Sequence, residues 1–350
     1  MSGPALWLDP NWRRMDELFA PEDEAALRAA YDVRWGRDEK APDAALKEVL
    51  PEIAALVSCV PEVDRALLAA APKLRTIVEV SGSFPGSIDY EACAEAGVEV
   101  LSCAPGFRDA VAEMAVGMLI AAGRGIVEEH ERFRRGEERW LSDNSGQDYR
   151  LYGATIGFVG FGQIAQEITR LIAPLGARVL AHDPFLPEAA AAEHGVTLVS
   201  LDEVMSAPRA VFIAAAPTHE NRGLIGAAQI ARMRPGAQLL VISRAHLVDF
   251  DALTEAVLAG RIRAAIDVFP SEPLSADHPI RSAAGVILSP HRAAAVDGGR
   301  HLIGRMLLDD LAAIREGRPE RRLQVATPEK VRLTAGVGDA EQVGAMAEER

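Results

Sequence analysis

Three segments late in the chain each end an apolar run on polar residues. Leu239-Leu240-Val241-Ile242 runs into Ser243 and Arg244, Ala264-Ala265-Ile266 runs into Asp267 with Glu272-Pro273 close behind, and Val286-Ile287-Leu288 runs through Ser289-Pro290 into His291. If each run is a strand of a parallel sheet, these groups stand at the carboxyl edge, where open α/β sheets bind ligands. The three reactive types complement one another. A guanidinium is a permanently charged, planar fork for a carboxylate and polarises a neighbouring carbonyl. An imidazole moves protons near neutral pH. A carboxylate beside it fixes the ring and favours its protonated form. A lone histidine after a strand is more often structural than reactive, so the weight falls on the three residues together.

A second constellation lies upstream. Gly160-Phe161-Gly162-Gln163-Ile164-Ala165 is a G-x-G-x-x-A turn between the apolar run Ile156–Val159 and a stretch with helical apolar spacing. In that context Gly160 allows the tight turn, Gly162 lets a pyrophosphate approach the backbone, and Ala165 keeps helix and strand close. The N–H groups at Gln163 and Ile164 then open a helix whose positive end suits phosphate. Asp183 follows the next strand and is placed to accept from ribose hydroxyls. A carboxylate there repels a 2′-phosphate, and Pro184 and Phe185 bring no arginine, so NAD is expected over NADP.

These groups need a scaffold, and short β-rich runs alternate with alanine-rich helical stretches almost throughout. That pattern argues for an α/β fold with parallel sheets. In the first third, strands are predicted at 5–9, 54–59, 76–80 and 98–102, with helices over 62–71 and 88–96. A long helix is predicted over 109–135 with Asp109 as its N-cap. In the second unit, strands are predicted at 155–160, 178–183, 197–200, 211–215, 238–243, 264–267 and 286–289. A helix near 298–316 closes the compact part. The tail from Thr327, rich in Ala, Gly and Glu, reads as loosely attached.

The 350 residues are 49% hydrophobic and 25% charged, ordinary values for a globular protein of about two domains. A net charge of −14 disfavours nucleic acid and anionic membranes as partners. Cys59, Cys93 and Cys103 form no C-x-x-C pair and no cluster with histidine, so neither a metal site nor a disulfide framework is expected. Reduced thiols suit a cytoplasmic location. No apolar run is long enough for a membrane span, and the N-terminus lacks the pattern of a secretory signal.

Taken in order, the glycine turn with Asp183, Ser243-Arg244…Val248-Asp249, Asp267-Val268-Phe269-x-x-Glu272-Pro273 and Ser289-Pro290-His291 strongly resemble the D-isomer-specific 2-hydroxyacid dehydrogenases, over about residues 57–315. The resemblance implies two Rossmann-like, doubly wound domains. A discontinuous, flavodoxin-like substrate domain would span 1–121 and 296–326, with an NAD-binding domain inserted at 122–295 and a tail at 327–350. It implies Arg244, Glu272 and His291 as the catalytic set. Asp267 is then expected near the nicotinamide with Ser243, Arg244 and His291, and Ala216 and Pro217 are expected to meet the cofactor through their backbone. Ser81 and Gly82 match the start of the family's substrate-carboxylate loop. The rest of that loop departs from the pattern at Phe84 and Gly86, and Ala245 replaces the glycine after the arginine, which puts the substrate in doubt. His246, Arg108 and Arg292 have no assigned role. A homodimer built through the cofactor domain is implied, with 127–151 as a candidate arm. The extra regulatory domain of some phosphoglycerate dehydrogenases is not expected.

The expected reaction is hydride transfer between NAD(H) and a D-2-hydroxyacid or its 2-oxoacid. The alternative is an NAD(H)-sensing, corepressor-like protein with little turnover, which the three retained residues disfavour. Formate as donor is disfavoured by Glu272, because relatives that oxidise formate pair their histidine with glutamine.

Overall fold

The computed structural model describes residues 3–138, 140 and 148–337. The chain divides into two compact units, one drawn from Met1–Arg108 and Ala294–Ala340, the other from Asp109–Ala293. In the first, β1 (Ala5–Asp9), β2 (Asp32–Trp35), β3 (Ile53–Ser58), β4 (Thr76–Glu79) and β5 (Glu99–Ser102) are parallel, in the spatial order β2-β1-β3-β4-β5. That is the flavodoxin-like order. Both faces of the sheet are covered, and its central strands send apolar side chains to each: Leu6, Leu8, Val57 and Val78 enter one core, Ile53, Leu56 and Ile77 the other.

The second unit holds β6 (Thr155–Val159), β7 (Arg178–His182), β8 (Val196–Leu198), β9 (Ala210–Ile213), β10 (Gln238–Val241), β11 (Arg263–Ile266) and β12 (Val286–Leu288), all parallel. Their order is β8-β7-β6-β9-β10-β11-β12, a doubly wound sheet that reverses direction beside β6. Phe158 of β6 stacks on Phe212 of β9 at 5.0 Å between centroids and meets Phe161 edge-on at 5.7 Å. Each such pair adds about 0.5–1.5 kcal/mol beyond the area it buries. They fix the strand from which the glycine turn leaves.

Returning to the first unit, the chain forms a helix over His301–Glu316 and then β13 (Gln324–Val325), which pairs antiparallel with β5. The tail does not dangle directly after Thr327. That residue caps a helix over Pro328–Thr334, and the Gly336 N–H donates to the Phe84 carbonyl at 2.9 Å. Residues beyond 337 lie outside the description.

Other boundaries also shift. The long helix starts at Arg108 rather than at an Asp109 cap and breaks after Gly123, where Gly125 takes φ 61° and a second helix runs over Ile126–Arg134. The units part at 108/109, because Ala112, Ala115, Leu119 and Ala122 of the first helix lie in one core with Ile156 and Phe158. No single described helix is long and apolar enough to cross a membrane.

Candidate active site

The glycine turn has the geometry its residues predict. Gly160 takes φ +84°, and a Cβ there would lie 2.3 Å from the Cα of Ala215. No L side chain fits that combination of backbone and contact. Gly162 differs: a Cβ there would meet nothing within 4 Å, so its absence leaves open space above the turn. Gly162 is also the N-cap of the helix Gln163–Ile172, which has no side-chain cap. That helix buries Ala165, Ile168, Thr169 and Ile172, with Ala165 fully enclosed. Asp183, just beyond β7, spans the turn: its Oδ2 accepts from the Phe161 N–H at 2.8 Å and its Oδ1 from Phe185 N–H at 2.9 Å. A free helix start, an unfilled cradle at Gly162 and an acid beside both fit a dinucleotide.

The second constellation assembles from three strand ends of the same sheet. His291 follows β12, and its N–H donates to the Asp267 carbonyl at 2.8 Å. Its φ of +51° is unusual for a non-glycine residue, although histidine tolerates the left-handed region better than most. The Asp267 carboxylate, 1% exposed, holds this bend. Oδ1 accepts from the Ser289 hydroxyl at 2.5 Å and the Arg292 N–H at 2.9 Å, and Oδ2 from the Ala293 N–H at 3.1 Å.

The His291 Nδ1 lies 2.7 Å from Glu272 Oε2, while Oε1 accepts from the Phe269 N–H at 2.9 Å. A carboxylate can only accept, so Nδ1 carries the hydrogen and Nε2 is the nitrogen left for chemistry. Nε2 has no hydrogen-bond partner among the described residues. Burial pushes the Glu272 carboxyl up. The His291 bond and charge, the Phe269 N–H and the nearby Arg244 outweigh that and hold it below its ordinary value. Arg244 follows β10 and donates from Nη1 to the Ser243 carbonyl at 2.8 Å. Arg244, Glu272 and His291 are thus brought together from positions up to 47 residues apart.

Other predicted residues turn out to brace the site. The Ser243 hydroxyl donates to the Ile213 and Ala215 carbonyls at 3.1 and 3.0 Å, tying β10 to the end of β9. Ala216 accepts from the Asn221 amide at 2.9 Å, which folds back the loop that carries Pro217. His246 is buried, and its Nε2 lies 2.9 Å from the Thr218 carbonyl of that loop.

In the first unit, the N–H groups of Ser81 and Gly82 donate to Glu79 at 2.6 and 2.8 Å. Glu79 lies inside the run 76–80, whose other residues give it the look of an ordinary buried strand. A carboxylate in such a run must find internal donors, and that was the available signal. Phe84 is buried edge-on against Tyr90 at 6.2 Å, so it packs the loop.

A family model described as the NAD binding domain of the D-isomer specific 2-hydroxyacid dehydrogenases matches residues 116–293. The chain is 36% identical over 279 residues to the D-3-phosphoglycerate dehydrogenase of Mycobacterium tuberculosis, covering 79% of this chain and 51% of that protein. It therefore spans about half the length of that relative. It is 30% identical over 311 residues to the glyoxylate reductase of Aeropyrum pernix, covering 86% of this chain and 92% of the other. Among solved structures, a phosphoglycerate oxidoreductase from Rhizobium etli superposes with a TM-score of 0.82 at 34% identity, covering 93% of this chain and 98% of that one.

Proposed function

The chain belongs to the D-isomer specific 2-hydroxyacid dehydrogenase family, and from that premise we propose that it transfers a hydride between NAD(H) and a D-2-hydroxyacid or its 2-oxoacid. The observation that carries this reading is the 2.7 Å bond between His291 and Glu272 with Arg244 beside it. When bound, NAD(H) gives or takes the hydride at C2. In reduction, Arg244 holds the substrate carboxylate in its fork and draws charge toward the carbonyl oxygen. His291 delivers the proton to that oxygen from Nε2, and Glu272 holds the ring from Nδ1 so that this nitrogen is the one presented. Oxidation runs through the same groups with the proton returning to Nε2.

Gly160, Gly162, Gln163, Ile164 and Asp183 hold the dinucleotide in this reading. Ala216, Pro217 and Ser243 would line its nicotinamide end and Arg244 and His291 would face it, with Asp267 close behind, holding the bend at His291. NADH oxidation against a panel of C2–C6 2-oxoacids tests the reading. Turnover of at least one supports it; tight NADH binding with no turnover favours the cofactor sensor, a role the intact His291–Glu272 pair disfavours.

Asp183→Ser is expected to weaken NADH and narrow its preference over NADPH. Each lost charge-assisted hydrogen bond is worth about 1.5–3 kcal/mol, so NADH titration should show a Kd raised by about tenfold or more. An unchanged NADH/NADPH ratio would remove Asp183 from the ribose site.

We place the protein in the cytoplasm as a homodimer associating through its cofactor unit. Ile126, Val127 and Phe133 of the Ile126–Arg134 helix are exposed, and Phe133 meets Trp140 at 6.1 Å, 72% of Trp140 being exposed. Large apolar groups exposed so close together suit a protein interface. The rest of the candidate arm, residues 139 and 141–147, lies outside the description. Sedimentation should give about twice the 37.5 kDa of one chain; a monomer at working concentration would refute the dimer.

A further inference from the structure

We propose that Glu79 is a positioning residue for the proposed substrate loop, closing the anion-receiving turn at Ser81–Ser83 from inside with its own carboxylate. Glu79 ends β4 and is fully buried. Its Oε1 lies 2.6 Å from the Ser81 N–H and 3.3 Å from that of Val60; its Oε2 lies 2.8 Å from the Gly82 N–H and 3.1 Å from that of Ser83. Three consecutive N–H groups directed at one carboxylate form an anion nest.

The carbonyls of the same turn are held by a cation. Arg13, 6% exposed, donates from Nε to Val80 at 2.8 Å and from Nη2 to Ser81 at 3.3 Å, with its guanidinium 5.2 Å from the Phe107 ring centroid. Gly82 takes φ +100°, and a Cβ there would lie 2.6 Å from Phe107 Cε2. The turn is therefore locked on both sides. Burial pushes the Glu79 carboxyl up against the pull of these donors. With its N–H groups satisfied from inside, the turn contributes shape, not hydrogen bonds, to substrate selection. This last consequence rests on the proposed function; the closure of the nest does not.

The test uses the full chain as Glu79→Ala and Glu79→Gln, with sodium acetate as the probe because acetate replaces the atoms that the alanine variant lacks. Glu79→Ala should melt several degrees below wild type, and acetate, but not equal chloride, should raise its melting temperature saturably while leaving wild type unmoved. With a turned-over 2-oxoacid, KM should rise more than kcat falls, and acetate should restore it. A wild-type melting temperature and KM in Glu79→Ala, or no acetate effect, would overturn the proposal. If Glu79→Ala does not fold, Glu79→Gln decides: its amide turns donors toward donors, so a lower melting temperature and raised KM are expected, and wild-type behaviour would overturn the proposal. Absence of 2-oxoacid turnover in wild type would count against the proposed function alone, and the acetate melting shift would still decide the role of Glu79.

Discussion

His291→Asn should lower the rate of 2-oxoacid reduction by about 10²–10⁴-fold, the usual cost of losing a positioned general acid. The NADH Kd should stay near wild type. Asparagine is the informative replacement because it tolerates positive φ, and the bend at residue 291 is held by Asp267 through backbone groups and Ser289, not through the imidazole. The fold should therefore survive, as a nearly unchanged melting temperature would show. The lost rate then belongs to the missing proton on Nε2. Activity within about tenfold of wild type would mean that another group supplies the proton.

Arg244→Ala should be almost as damaging, for a different reason. The guanidinium is expected to make two charge-assisted bonds to the substrate carboxylate, each worth about 1.5–3 kcal/mol. Their combined loss corresponds to at least about 10²-fold in kcat/KM. Both parameters should move, since the same charge polarises the reacting carbonyl. Arg244→Lys keeps the charge and loses the planar fork, so it should recover only part of the activity. A nearly unchanged melting temperature in Arg244→Lys would show that the lost activity reflects substrate handling and not stability. A KM increase with unchanged kcat would limit Arg244 to carboxylate binding.

The architecture of the second unit was largely legible because its signals agree at several levels. Gly160, Gly162 and Ala165 sit between an apolar run and an amphipathic helix, and each strand end carries its polar residue at the carboxyl edge. Boundaries were less legible. The break at Gly125 hid inside a continuous helical pattern, because one left-handed residue interrupts a helix without altering the apolar spacing. Edge strands β2 and β13 went unread, being short and poor in apolar residues. Alternative partners for polar groups were hardest to foresee. Sequence places Ser81, Gly82 and Asp267 near a ligand, but which acceptor or donor each has already taken depends on contacts with Glu79, Ser289 and Ala293 that only tertiary structure supplies.

The central claim is tested most directly by following the transferred hydrogen. Reduction of an accepted 2-oxoacid with NADH deuterated at C4 of the nicotinamide should yield the D-configured 2-hydroxyacid with deuterium at C2, in wild type and, slowly, in His291→Asn. A product without deuterium at C2, or of the opposite configuration, would contradict the assignment.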